Sequence, residues 1–163
     1  MVDLNVLSTQ EIIELYGEIV KIFWDRKIIT TNNFVGELGE YLAINHYVKT
    51  NDLPNLIKDP PSNPNYDAHS ENGARYNIKA TSRNTTSKFH GLNRPEDDAI
   101  QEQLFEYVII VMFNKYYQTK KIIEIHWDTF LKYKKWHKTD SAWQLVITKN
   151  LVRDSIVLYD SIE

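Results

Sequence analysis

Cysteine is absent from the 163 residues. That removes disulfides and thiolate metal sites, and makes a reducing cytoplasm the expected compartment. No phosphate loop of the GxGxxG or GxxxxGK[ST] type occurs, so no nucleotide cofactor is expected. The GxSxG nucleophile elbow is missing as well. His46, His69, His90, His126 and His137 show neither HExxH nor paired metal spacing, which argues against a zinc site. No apolar run approaches the ~20 residues of a membrane span, and no basic-then-apolar leader opens the sequence, so no membrane partner is expected.

What is present suits one globular domain with a sizeable core: 42% hydrophobic and 25% charged residues. The net charge of −3 hides an uneven distribution. Arg75, Lys79, Arg83, Lys88 and Arg94 follow one another with no acid between them, and residues 115–138 hold seven lysines against Glu124 and Asp128. Two basic, aromatic-interleaved stretches fit a phosphate backbone on one face, although solvated strand and helix faces give the same composition.

Ser8 and Glu11 have capping-box spacing, and Ile12, Tyr16, Ile19, Val20 and Phe23 recur at helical intervals, which predicts an amphipathic helix over 9–27. It either closes the core or supplies a dimer contact. A second helix is predicted over 33–48, with Phe34, Leu38, Tyr41, Leu42 and Asn45 inward. Gly36 and Gly39 are poor helix formers, so their presence in one turn implies close approach of a neighbouring backbone. Glu37 and Glu40 share a face of that helix and by themselves read as solvated. Pro54, Pro60, Pro61 and Pro64 make 50–65 an extended connecting loop. Pro95 with Glu96, Asp97 and Asp98 predicts a short helix start. The run 107–113 reads as a strand covered on both faces, with a return strand at 120–126. A helix from Trp127 to His137, with Trp127, Phe130, Leu131 and Lys134 inward, and strands at 143–148 and 155–159 complete the chain.

Two short alternations, 66–70 and 74–80, flank Asn72-Gly73, the signal for a hairpin with a type I′ turn. In its second strand Tyr76, Ile78 and Ala80 fall on one face, and Arg75, Asn77 and Lys79 on the other. Pairing brings Asp67 beside Asn77 and Lys79. The following segment, 81–94, is rich in hydroxyl, amide and cationic side chains. Arg and Lys suit guanine acceptors, Asn suits adenine, and Ser and Thr suit either.

An Asp on one strand followed by x-Lys on the next resembles the PD-(D/E)XK nuclease superfamily, with Asp67 as first acid, Asn77 at the second acidic position and Lys79 as the lysine. In length, hairpin spacing, the Thr-rich segment with a histidine and the apolar strand pair, residues 34–137 are most similar to small PvuII-type type II restriction endonucleases. Asn77 departs from the pattern, being neutral where a carboxylate is usual.

The resemblance implies an α/β fold, a single restriction-endonuclease-like domain over 1–163 with a central mixed β-sheet flanked by helices. It implies a Mg²⁺- or Mn²⁺-dependent endonuclease acting on double-stranded DNA as a homodimer, with the first helix as dimer contact. The cation would be held by Asp67, Asn77, the Ile78 carbonyl and Glu40, or else Glu37, because Gly36-x-x-x-Glu40 matches the family's helix pattern. Asp67, Lys79, Asn77 and Glu40 would be the catalytic set. Arg83, Asn84, Thr85, Thr86, Lys88, His90 and Asn93 would contact DNA. Asn77 also admits another function: a weak or inactive nuclease-fold protein that binds nucleic acid or a protein partner without cutting.

Overall fold

The computed structural model describes residues 3–61 and 63–161. Strands β1 (Leu56–Lys58), β2 (Ala68–Ser70), β3 (Arg75–Thr81), β4 (Tyr107–Phe113) and β5 (Thr119–His126), with the late strand β8 (Ile156–Asp160), form a six-stranded sheet in the order β1-β2-β3-β4-β5-β8. The sheet is mixed: β3 and β4 run parallel and every other neighbouring pair is antiparallel. A separate two-stranded sheet joins β6 (Lys134–His137) to β7 (Ala142–Leu145). The helices are α1 (Thr9–Asp25), α2 (Phe34–Lys49), α3 (Trp127–Tyr133) and α4 (Lys149–Arg153). Among the described residues no helix is long and apolar enough to cross a membrane.

β4 is the centre, as its unbroken apolar run requires. Val108, Ile109, Ile110 and Val111 are all fully buried, and each such side chain contributes about 1.5–3 kcal/mol. Ile109, Val111 and Phe113 join α2's Ala43 and Tyr47 with Tyr76 and Ile78 in one cluster. Val108 and Ile110 turn to the other face, against Phe89, Phe105, Phe130, Leu145 and Leu151. Helix α2 thus covers one face, while α3, α4 and the crossover from β3 to β4 cover the other.

Several expectations need correction. The buried side of α2 is Glu37, Gly39, Ala43 and Tyr47, while Tyr41 is exposed. Small residues decide the face, because α2 lies almost on β3: a Cβ on Gly39 would overlap Ala80 Cβ and sit 3.4 Å from Ala80 Cα. Helix α1 does not close the core. None of its residues is buried, and Phe23 stacking on Phe34 at 5.9 Å ties it to α2. Only Gly73 takes positive φ in the hairpin, with its N–H bonded to the Ser70 carbonyl, so the turn is not type I′. Residues 95–96 form a turn rather than a helix, held by the Arg94 N–H on Asp97 Oδ2. The expected loop 50–65 contains β1, and the expected helix end 134–137 is β6, paired with β7.

Candidate functional site

Asp67 sits one residue before β2, where backbone pairing is giving out. Its N–H donates to the Tyr76 carbonyl at 2.8 Å, and its Oδ2 accepts the Ile78 N–H at 2.6 Å. The side chain therefore caps the exposed flank of β3 and is fixed in place. N–H and C=O of one strand residue point the same way, so the Ile78 carbonyl also faces the Asp67 side.

Glu40 reaches the same place from α2, whose close seat on β3 is permitted by Gly39. Glu40, Glu37, Asp67, Lys58, Asp59 and Tyr66 line one cavity of about 190 Å³. Burial pushes the Asp67 carboxyl above its ordinary range, although Lys79 and the Ile78 N–H pull it back. Burial likewise raises Glu40, against the pull of Lys58, with the negative charge of Asp67 adding to the rise. Lys79 is lowered by burial, while Asp67 and Glu40 act in the opposite sense. Its ammonium lies 4.8 Å from the centroid of Phe89. Three titratable groups of the expected set are thus perturbed by shared burial and feel one another's charge, a pattern concentrated at functional sites.

Asn77 is buried, at 7% exposure. Its Nδ2 donates to the Asn65 carbonyl at 3.0 Å, and its Oδ1 has no hydrogen-bond partner. A bare amide oxygen away from water is costly unless something electropositive satisfies it. Among the described residues, no three His, Cys, Asp or Glu side chains come together to hold a metal ion by themselves. Mg²⁺ does not need three: it takes one or two carboxylates and keeps several waters. Asp67 and Glu40, which line one cavity, offer two carboxylates of that kind, and Asn77 and Ile78 lie on the adjoining strand.

Glu37 is committed elsewhere. Its carboxylate accepts the N–H and hydroxyl of Thr30 and the N–H of Thr31. Burial works against its charge, but these donors prevail and hold its pKa below the ordinary value. It braces the loop before α2 and is not a spare ligand. Sequence reasoning missed Lys58 and Asp59. Lys58 Nζ pairs with Glu40 Oε2 at 2.9 Å, and Asp59 Oδ2 meets His69 Nδ1 at 2.8 Å.

The segment after Lys79 divides in two. Arg83, Asn84 and His90 are exposed, and Thr85 is partly buried. Thr85 and Phe89 bridge to Val146 and Trp143, so 85–89 lies antiparallel beside β7. Thr86 is buried at 5% exposure, and its hydroxyl accepts the Leu145 N–H at 3.0 Å, so it anchors the segment and cannot face a ligand. Asn93 is also engaged, its Nδ2 on the Ala99 carbonyl and its own carbonyl receiving Trp143 Nε1–H. Lys88 Nζ is tied to Gln144 Oε1 and Asp140 Oδ2. The pairing sets the exposed Lys135 and Lys138 of the β6–β7 unit on the same small assembly as the exposed members of 83–90.

The fold and site define an α/β domain with a mixed six-stranded sheet and an acid–lysine cluster at one flank of β3. No protein-family model matches the chain, and a search of curated proteins finds no match.

Proposed function

We propose that this protein is a divalent-cation-dependent DNA endonuclease of restriction-endonuclease-like fold, hydrolysing phosphodiester bonds in double-stranded DNA. The observation that carries the reading is the meeting of Glu40 from α2 and Asp67 from the hairpin across one cavity, with Lys79 on the adjoining strand. Glu40 contributes the negative charge that Asn77 lacks. Asp67 and Glu40 would hold Mg²⁺ or Mn²⁺, and Asn77 Oδ1 and the Ile78 carbonyl would serve as neutral donors. A divalent cation there supplies polarisation of the phosphate and acidification of bound water. Lys79, fixed over Phe89, places positive charge where the phosphate's negative charge develops. Arg83, Asn84, His90, Lys135 and Lys138 contact the duplex. Cutting both strands takes two sites, and the exposed stripe of α1 (Ile12 47%, Tyr16 68% and Ile19 42% exposed) supplies the contact for a homodimer.

A non-cleaving nucleic-acid binder is the second reading, favoured by the neutral Asn77 and by the pairing of Glu40 with Lys58. Plasmid nicking with Mg²⁺ or Mn²⁺ separates the two. Wild type should nick, and Asp67→Ala should bind duplex in a gel shift without nicking. Wild-type binding without nicking selects the second reading, and neither binding nor nicking refutes both.

A further inference from the structure

We propose that Lys58 is a built-in competitor for the cation, its ammonium holding the Glu40 carboxylate until a divalent ion displaces it. The inference rests on the cation reading above and adds a control on when the site fills. Lys58 is the last residue of β1, paired with Ala68, so the strand that ends the sheet delivers its side chain next to Asp67. Its Nζ lies 2.9 Å from Glu40 Oε2, and its charge also acts on Asp67. Glu37 cannot take over from Glu40, because its oxygens are occupied by Thr30 and Thr31. The lysine is therefore attached to the helix carboxylate that the cation requires.

The attachment is reversible by construction. The Lys58 side chain is 46% exposed against 21% for Glu40, and exposed ion pairs are weak. Lys58 also lines a second cavity of about 270 Å³, with Lys27, Ile28, Tyr41, Ile44, Asn45 and Val48. The aliphatic stem can lie over that apolar lining with its ammonium in water while Glu40 stays in place. Charge makes the competition consequential. Lys58 offsets the negative charge of Glu40 and acts on Asp67 as well, so a cation is drawn to these carboxylates more strongly once its ammonium withdraws.

The test titrates Mg²⁺ calorimetrically into the metal-free protein without DNA. Tb³⁺ luminescence sensitised by Tyr66, a residue of the cavity wall, is the second readout. Lys58→Met keeps the stem and drops the charge, and should bind Mg²⁺ about tenfold tighter or more. Lys58→Arg, which keeps the charge, should stay within about twofold of wild type. Adding Glu40→Gln to Lys58→Met should cancel the gain, as coupled neighbours require. Thermal melts establish that each variant is folded. Equal affinity in wild type and Lys58→Met overturns the proposal and leaves the cation reading standing. Weaker binding by Lys58→Met also overturns it, by making Lys58 a brace for Glu40. No binding of Mg²⁺ or Tb³⁺ by wild type, Lys58→Met or Asn77→Asp overturns the cation reading and this proposal together.

Discussion

Replacing Asn77 by aspartate exchanges an NH₂ group for an oxygen at a position only 7% exposed. In the wild type Nδ2 donates to the Asn65 carbonyl at 3.0 Å, and Oδ1 has no partner. The opposite amide orientation would set two oxygens against each other, so the donor must face Asn65. Aspartate has no donor when ionised, hence the variant loses that hydrogen bond, sets a carboxylate oxygen against the Asn65 carbonyl and adds a second negative charge beside Asp67. Leaving a buried acceptor unpaired costs ~1–3 kcal/mol, and the uncompensated charge adds a comparable amount. In a chelator the variant should therefore be about 2–6 kcal/mol less stable than wild type, a drop in Tm of roughly 4–24 °C for a chain of this size.

With Mg²⁺ the deficit shrinks, because the added carboxylate becomes a ligand. Saturation to about 100 times Kd returns ~2.7 kcal/mol. Circular-dichroism melts of both proteins, with chelator and across a Mg²⁺ series, read the difference. The variant should show the lower Tm in chelator and the larger rise with Mg²⁺. A variant as stable as wild type in chelator refutes the hydrogen-bond reasoning. A Mg²⁺ response no larger than that of wild type refutes the placement of residue 77 at a cation site.

Gly39→Ala should destabilise the protein: overpacking costs ~1–3 kcal/mol against a helix-propensity gain of about 1 kcal/mol. The contact is Ala80 Cβ, which cannot rotate away, and equal or higher stability in urea denaturation would mean that α2 can shift off β3. Glu124 is buried in β5 and accepts the Tyr47 hydroxyl, and burial raises its pKa. A carboxyl raised in the folded state gives stability that is present at low pH and lost as pH rises through the folded value. Glu124→Gln should therefore melt above wild type by a margin that widens as pH rises above the ordinary carboxylate range, and a constant margin would contradict the assignment. Ile12→Asp with Ile19→Asp should turn a dimer into a folded monomer in light scattering, since both residues are exposed in the single chain. A wild type already monomeric at micromolar concentration removes the dimer from the proposal.

What was legible in the sequence follows from how local each signal is. The capping box of α1 forms as expected, and β4 and β5 announce themselves by apolar runs. Asp67, Asn77 and Lys79 could be placed because strand alternation and a short loop fix their relation within a dozen residues. β1 could not be read. Its three residues sit among prolines and become a strand only by pairing with β2, which is why Lys58 and Asp59 escaped notice. Lys134–His137 continues a helical-looking pattern, but pairing with β7 turns it into a strand. The face of α2 was misjudged because large apolar residues were weighed above small ones, whereas Gly39 and Ala43 set the approach.

The parallel register of β3 and β4 decides the rest of the surface. Two adjacent parallel strands need a crossover, and here residues 82–106 provide it without a helix. Such a crossover must bury pegs to stay on the sheet, and it does so with Phe89, Leu104 and Phe105 in the core cluster. Thr86 adds a hydrogen-bonded peg to β7. The side chains spent on anchoring are therefore unavailable for recognition, and Arg83, Asn84 and His90, between and beside the pegs, are what the crossover presents outward. The proposed cation site begins on the strand that launches this crossover, since Lys79 and the Ile78 backbone belong to β3. A segment anchored by core packing, starting three residues after Lys79, carries polar side chains at a fixed offset from Asp67 and Glu40. On the proposed function, that offset would let one rigid element couple grip on a duplex to the position of the phosphate at the acids.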